Sequence, residues 1–239
     1  MTEQGILEVG GERIPYELER KAVKRLNLRV RGNGTVHVSV PVRTPRLTVE
    51  RFLAQRAVWV QNARARVMAR HGEAIDAATG NVIPLEGVPH TIFVRQGTKE
   101  RAERGEGVLF LYVKDVEDAT ARARVLRRFI REEAVRVLGT AAQAIYPLFA
   151  PRPATFPSIT VRKMTSRWGS CTAAKNHITL NERLLFVDPW LARYVILHEF
   201  CHFKHQDHSA AFYKHLGRFF PQYAAARRAL KAAVIPEYE

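Results

Sequence analysis

Hydrophobic and polar residues alternate along much of the first forty positions, as in strands that bury one face. The alternating runs are joined in pairs by glycines, which favour the tight turns of β-hairpins. We therefore predict two hairpins near the start of the chain. Their strands are Ile6 to Val9 and Ile14 to Leu18 around Gly10-Gly11, and Leu26 to Val30 and Thr35 to Val40 around Gly32-Asn33-Gly34.

Apolar residues then recur at helical spacing in several longer segments. The predicted helices run from Thr48 to about Arg70, from Val116 to near Tyr146, from Pro189 onward, from Ser209 through His215, and from Pro221 to about Val234. Further strands are predicted at Val82 to Leu85, His90 to Val94, Val108 to Val113, Ser158 to Arg162 and Asn176 to Leu180, with loops at Gly97 to Gly107 and Lys163 to Lys175. This order predicts an α+β fold whose strand-rich N-terminal half packs on a helical C-terminal half.

One pentapeptide carries recognisable chemistry: His198-Glu199-Phe200-Cys201-His202 matches the H-E-x-x-H pattern. Residues four apart share a helix face, so His198 and His202 are expected to bind one zinc ion together. Glu199 lies beside them and is predicted to take a proton from a metal-activated water. The preceding run from Trp190 to Leu197 is apolar nearly all round, which predicts a buried helix in which a metal compensates the polar side chains.

The third metal ligand is predicted to be His208, six residues past the motif. In an unbroken helix His205 would lie about 10 Å along the axis from His198, too far to share an ion. Asp207-His208-Ser209 is instead typical of a turn that brings His208 back, although His205 and His215 remain alternatives. Three protein ligands leave one position open for water, as in catalytic zinc sites.

Two broad zinc-peptidase patterns do not fit the chain. The metzincin pattern requires glycine three residues past the second histidine, where this sequence has His205, and a later Met-turn, whereas its last methionine is Met164. A glutamate ligand on a following helix has no counterpart either, because no glutamate lies between Glu199 and Glu237.

Composition indicates an ordinary globular protein: 46% of the 239 residues are hydrophobic and 26% are charged. No stretch approaches the roughly 20 apolar residues of a membrane span, and the first residues lack the apolar core of a signal peptide. The two cysteines, Cys171 and Cys201, are interpreted as free thiols, with Cys201 a core residue. We therefore expect a cytoplasmic protein without a membrane partner.

The formal charge of +15 raises the question of nucleic-acid binding. The excess of basic residues is spread along the whole chain, which is typical of a solvated surface. The densest group lies in the long predicted helix, where Arg124, Arg127, Arg128 and Arg131 form one stripe. We expect weak, nonspecific nucleic-acid binding at most.

Four segments at fixed intervals resemble the YgjP-like metallopeptidase family. They are Ser166 to Cys171 (SRWGSC), His177 to Asn181 (HITLN), Tyr194 to His202 (YVILHEFCH) and His208 to Phe212 (HSAAF). Asp207 stands where the family usually has asparagine. The family is distantly similar to SprT-like and WLM zinc peptidases. The resemblance implies a zincin-like catalytic region at 116–239 after a strand-rich lobe with one helix at 1–115, the two forming one continuous family domain.

By position, the resemblance implies that His198, His202 and His208 bind one divalent metal ion, expected to be Zn²⁺, and that Glu199 is the general acid/base. It also places the segment from Arg167 to Cys171 beside the cleft. Candidate substrate-binding residues are then Arg167, Trp168 and Asn181. The strand Asn176 to Asn181 is expected to be the sheet edge along which an extended peptide binds. Arg167, His177 and Tyr213 are unranked candidates for stabilising the oxyanion.

These observations predict a zinc-dependent hydrolase, most closely a metallopeptidase that acts on a peptide or protein. One alternative is a metal-dependent hydrolase of a nucleotide or another phosphorylated small molecule, although no phosphate-binding loop is evident. Another is a nucleic-acid-associated protein with a structural metal. The intact Glu199 and the lack of a fourth ligand that closes the site argue against it.

Overall fold

The computed structural model describes residues 2–31, 34–68, 71–151 and 153–238. By its internal contacts the chain separates into two compact units, Met1–His71 and Gly72–Glu239. The boundary that the sequence suggested after residue 115 does not coincide with this division. Strands between residues 82 and 113 have the same alternating pattern as the first ones, but they pack on the long helix of the second unit.

The first unit is a four-stranded sheet with two helices. Its strands are β1 (Thr2–Val9), β2 (Glu12–Lys21), β3 (Asn27–Val30) and β4 (Val36–Pro41), in the spatial order β1-β2-β4-β3. Both predicted antiparallel pairings are confirmed, and Gly10 and Gly11 have the positive φ values, 56° and 80°, that the first turn requires. The second predicted turn includes Gly32 and Asn33, which lie outside the described residues.

Two helices, α1 (Arg46–Ala54) and α2 (Ala57–Met68), follow where the sequence predicted one. The chain leaves the helical path at Gln55 and Arg56. The predicted end at Arg70 lies outside the described residues. Val49, Leu53 and Val60 are buried with the inward residues of β2 and β4 in the core of this unit.

The second unit contains a four-stranded sheet packed on one long helix. Its strands are β6 (Val82–Leu85), β7 (Val88–Gln96), β8 (Arg101–Arg104) and β9 (Val108–Val113), in the order β6-β7-β9-β8. β8 lies within the segment that the sequence predicted to be a loop. It has little apolar character and is held by antiparallel pairing with β9.

The long helix α3 (Ala119–Ile145) begins at Asp118, whose side chain accepts a hydrogen bond from the Ala121 amide at 2.9 Å. Its apolar stripe faces the sheet and forms part of the main core. Two arginines of its polar side are used structurally, since the Arg124 side chain binds the Glu100 carboxylate and Arg128 donates to the Glu100 carbonyl at 2.5 Å. The predicted arginine stripe is therefore partly occupied in holding the connection between β7 and β8.

A three-stranded sheet lies next along the chain, with the order β10-β12-β11. β10 (Ser158–Arg162) is parallel to β12 (His177–Asn181), and β11 (Gly169–Thr172) is antiparallel to it. The sequence analysis missed β11 and was wrong to expect the strand at 176–181 to be a sheet edge. β12 is the central strand, and β10 and β11 are the two edge strands of this sheet.

Three helices and two short strands complete the second unit. The helices are α4 (Pro189–Cys201), α5 (Ala210–Phe219) and α6 (Tyr223–Ala232), and the strands β5 (His71–Ala74) and β13 (Ile235–Glu237) pair with each other. Beyond β13, the Tyr238 hydroxyl donates to the buried Glu182 carboxylate at 2.7 Å. Among the described residues, no helix is both long enough and apolar enough to cross a membrane.

Candidate metal centre

Helix α4 presents His198 and His202 from a buried position. Its start is fixed by Asp188, whose carboxylate accepts from the Trp190 amide at 3.0 Å, and by Pro189 at the first helical position. Residues around its whole circumference are buried, including Leu197, Phe200 and Cys201. The helix that carries the histidine pair is therefore held by packing around its circumference.

His208 returns to this pair as the sequence predicted. The helix ends at Cys201, and Ser209 lowers the pKa of the Asp207 carboxyl by hydrogen bonding in the turn before α5. The Nε2 atom of His198 lies 3.3 Å from that of His202 and 3.0 Å from that of His208. The three imidazoles form a group of possible metal donors whose ligand atoms all lie within 4.8 Å of one another.

The donor set fits a metal ion. Bonds of about 2.0–2.1 Å in a tetrahedral arrangement would separate imidazole nitrogens by about 3.3 Å, close to the spacing found here. The Nδ1 atom of His202 lies 3.0 Å from the His205 carbonyl, which fixes the proton on Nδ1 and leaves the Nε2 lone pair free. Burial, aided by the neighbouring His202 and His208, lowers the pKa of His198 to about 3, so this ring is neutral and able to bind a cation.

The ring of Phe212 packs against all three imidazoles. Its side chain is fully buried, and its ring centroid lies 4.8 Å from those of His198 and His202 and 5.0 Å from that of His208. It belongs to α5, one turn after the bend that presents His208. The sequence analysis assigned it no role, although it is the last residue of the fourth motif segment.

Glu199 is 5% exposed and lies against β11. A β-carbon built on Gly169 would come within 2.7 Å of the Glu199 Oε1 atom. Gly169 is therefore needed for this close approach. Burial raises the pKa of Glu199 to about 8, while the positive charge of Arg167 acts in the opposite direction.

The loop that leads into β11 is held by Asn181. The Asn181 amide nitrogen donates to the carbonyls of Met164 at 2.8 Å and Arg167 at 2.9 Å, and its side-chain oxygen accepts from the Met164 and Arg183 amides. Its backbone N–H donates to the Trp168 carbonyl. Asn181 is only 3% exposed, and these bonds give it a role in holding the loop, while its contact with substrate stays a prediction.

The sequence model of the YgjP-like metallopeptidase domain matches residues 24–233. The chain belongs to this family. No curated protein matches it. Among solved structures, the chain is similar to the metallopeptidase zymogen jannalysin of Methanocaldococcus jannaschii, with 23% identity over 39% of this chain and 91% of that one and a TM-score of 0.34. It is also similar to the metallopeptidase zymogen abylysin of Pyrococcus abyssi, with 19% identity over 44% of this chain and 92% of that one and a TM-score of 0.30.

Membership in a metallopeptidase family makes this chain a metal-dependent hydrolase and implies a divalent metal ion. The two other histidines considered as ligands of the YgjP-like site lie outside the group of three. The ring of His205 packs on that of His215 at 5.3 Å, and the ring of His215 contacts Phe149 and Phe219. His205 contributes through its backbone carbonyl instead.

The three oxyanion candidates of this YgjP-like domain are now separated in space. The Nδ1 atom of His177 lies 2.8 Å from the Ser158 hydroxyl, and its Nε2 atom lies 3.2 Å from the Thr179 hydroxyl. His177 is the first residue of β12, whereas Gly169 pairs with Leu180 near the other end of that strand. Tyr213 stacks on Tyr223 and lies beside the ring of His208. Only Arg167 acts electrostatically on Glu199, and its side chain is exposed.

Proposed function

We propose that this YgjP-like domain is a zinc metallopeptidase in which His198, His202 and His208 hold the ion and Glu199 is the general base. The observation that carries the proposal is the approach of the His202 and His208 Nε2 atoms to within 3.3 and 3.0 Å of that of His198. The Glu199 carboxylate lies on the same turn of α4. Three neutral nitrogen ligands and an open fourth position are typical of catalytic zinc.

In this proposal the ion, when bound, supplies an activated water and polarises the scissile carbonyl. Glu199 accepts the proton of the attacking water on its carboxylate and passes it to the leaving nitrogen. Phe212 keeps the three rings in place, and Asn181 holds the loop before Gly169, so that the carboxylate has one position available.

The substrate is proposed to be a peptide or an unfolded protein segment that pairs with β11. Among the described strands, β11 pairs with β12 on one side only, so its other edge can accept a further strand. Gly169 starts β11 and touches Glu199, which would place the main chain of a paired peptide beside the general base. This replaces the expectation that the strand at 176–181 receives the peptide.

Arg167 is proposed to bind the substrate oxygen on which negative charge develops. Its backbone is fixed by Asn181 at 2.9 Å, its side chain is exposed, and its charge reaches Glu199. Trp168 follows it and packs against the main core, so we propose that it anchors the loop. A cytoplasmic location remains part of the proposal, with the free thiols Cys171 and Cys201 in support.

The test is hydrolysis by zinc-loaded protein of an unfolded protein and, separately, of nucleoside triphosphates. We expect cleavage of the unfolded protein that chelation abolishes and zinc restores, and that Glu199→Gln lacks. A peptide N-methylated at the positions that pair with β11 should be cleaved far more slowly than its unmethylated parent, because strand pairing uses main-chain N–H groups. Cleavage of the triphosphate alone, dependent on Glu199, would overturn the peptidase proposal in favour of a phosphoanhydride hydrolase.

A further inference from the structure

The outward face of the sheet β6-β7-β9-β8 carries aromatic residues where polar ones are usual. On the inward face, alternate residues such as Ile92, Leu109 and Leu111 are fully buried in the core. On the outward face the register places Phe93 opposite Phe110, and Tyr112 between Arg95 and Arg101. We call Phe93, Arg95, Arg101, Phe110 and Tyr112 the aromatic face. Sheets with one solvated face normally alternate apolar-in with polar-out, so this face departs from the expected pattern.

The rings of the aromatic face form a continuous row. The ring centroids of Phe93 and Phe110 are 5.9 Å apart, and those of Phe110 and Tyr112 are 6.4 Å apart. Phe93 is 36% exposed, and the other two rings are partly exposed. None of these residues belongs to the metal centre or to the loop that Asn181 holds.

Two guanidinium groups lie on these rings. The Arg95 guanidinium carbon is 4.4 Å from the Phe110 centroid, and that of Arg101 is 3.8 Å from the Tyr112 centroid. The Glu103 carboxylate lies on the same face and accepts a hydrogen bond from Arg101 at 2.8 Å, so the Arg101 charge is paired. Among the described residues, no carboxylate forms an ion pair with Arg95.

Charges of both signs lie at the same end of the sheet. Lys99 lies in the connection that leaves β7, and Lys114 directly follows β9, which runs parallel to β7. Glu100 also lies in that connection, but its carboxylate is bound by Arg124 of α3. Asp115 and Glu117 follow Lys114 and are exposed, so the positive charge that the aromatic face itself offers is that of Arg95.

We propose that the aromatic face binds single-stranded nucleic acid. Unpaired bases stack on aromatic side chains displayed by a sheet, while arginine and lysine neutralise the phosphates that follow. Phe93 offers an exposed ring, and the Arg95 and Arg101 guanidinium planes, which lie over Phe110 and Tyr112, offer further surfaces on which a base can stack. An acidic polypeptide would satisfy the charge but would leave the rings without stacking partners. A duplex would satisfy the charge but keeps its bases stacked inside the helix.

Binding is measured on the full-length protein by fluorescence anisotropy, with labelled oligothymidylate and oligouridylate of about 16 nucleotides, the upper end of common site sizes. The variants are Phe93→Ala and Phe110→Ala. The matched control is Phe156→Ala, whose ring is 36% exposed like that of Phe93 but lies outside this sheet. We expect Phe93→Ala and Phe110→Ala each to raise Kd by about 5- to 150-fold, the range found for loss of one stacked base. Phe156→Ala should bind like the wild type.

The ionic contribution is tested through the salt dependence of Kd. Arg95→Gln should reduce the slope of log K against log salt by about 0.7, the value for one phosphate contact with a single strand. The matched control is Arg127→Gln, an exposed arginine on α3. An equal loss of slope in both variants would show diffuse binding to a basic surface and would overturn the assignment to the aromatic face.

A substitution that keeps an aromatic ring distinguishes loss of stacking from loss of folding. Phe93→Trp should bind at least as tightly as the wild type, and the added indole fluorescence should be quenched by the oligonucleotide. Absence of this quenching, tighter binding of a duplex than of the single strand, or equal competition by polyglutamate would each overturn the proposal. Binding of either oligothymidylate or oligouridylate with the expected variant effects supports it, and their relative Kd identifies the preferred strand.

Discussion

Gly169 and Glu199 approach so closely that no larger residue fits at position 169 without displacing the carboxylate. A β-carbon there would lie 2.7 Å from Oε1, 2.8 Å from Cγ and 3.0 Å from Cδ of Glu199. Glu199 is 5% exposed and cannot simply swing into solvent. Strand β11 and the proposed general base are therefore positioned by the same contact.

Gly169→Ala should lower kcat by about 10- to 100-fold, as expected for a shift of about 1 Å in a catalytic group, while metal content stays at the wild-type level. The measurements are steady-state kinetics and metal analysis of the purified variant. Gly139→Ala is the control, because a β-carbon there meets nothing within 4 Å in the middle of α3. That change should raise stability by about 0.5–1 kcal/mol and leave activity unaltered. Wild-type kcat in Gly169→Ala would show that the contact does not fix Glu199.

Glu199→Gln should keep the metal and lose about 10²- to 10⁴-fold in kcat, the usual contribution of a general base. Glutamine has the shape of glutamate without its basicity, so the fold and the three imidazoles are retained. Glu132→Gln on the exposed side of α3 serves as the control for loss of one carboxylate. Turnover comparable to wild type in a metal-loaded Glu199→Gln protein would remove Glu199 from the proposed role.

His208→Ala should weaken metal binding by more than the roughly 10- to 100-fold typical of changes outside the ligands, because it deletes one of three donors. His205→Ala is the matched control. Its ring packs on His215, and its contribution to the centre is the backbone carbonyl that His202 binds at 3.0 Å, which alanine keeps. Metal titration with a competing chelator measures both. Equal affinity in His208→Ala and wild type would contradict the three-histidine site.

Asn181→Asp should destabilise the protein by about 1–3 kcal/mol and lower activity. The substituted oxygen would face the carbonyls of Met164 and Arg167, to which the amide nitrogen now donates at 2.8 and 2.9 Å. Asn176→Asp is the control, since the amide there donates to Thr155 at the surface and a much smaller change is expected. Urea unfolding and kinetics together test the prediction. A stable but inactive Asn181→Asp variant would point to direct substrate binding.

Sequence reasoning predicted that the three histidines of the candidate metal centre lie together, because their signal is local. The spacing of His198 and His202 fixes a shared helix face, and Asp207 to Ser209 indicated the turn that returns His208. The same holds for α3 and α4, whose apolar patterns predicted their starting points within a few residues. These features depend on neighbours within one or two helical turns.

The missed features depend on partners distant in sequence. β8 has the sequence Arg-Ala-Glu-Arg, and its pairing with β9 becomes visible only in the fold. β11 has four small or polar residues, so neither length nor apolar alternation marked it as the edge strand. The role of Asn181 follows from carbonyls 14 and 17 positions earlier in the chain. The alternation of apolar and polar residues could not assign the strands at 82–113 to one of the two units either. Such alternation shows that one face of a strand is buried, but it does not show which element packs on that face.

The pairing of Tyr238 with Glu182 bears on how this enzyme can be shortened. The family match ends at residue 233, before β13, but Arg183 also pairs with Glu237, and Lys163 approaches both Glu237 and the Tyr238 ring. Glu182 and Arg183 directly follow Asn181, and Lys163 directly precedes Met164, one of the loop residues that Asn181 binds. A chain cut at the family boundary would leave the buried Glu182 carboxylate without its hydroxyl donor, next to the anchor of the catalytic loop. Glu237 and Tyr238 thus hold this loop, and a protease that removed them would weaken the packing that supports the site.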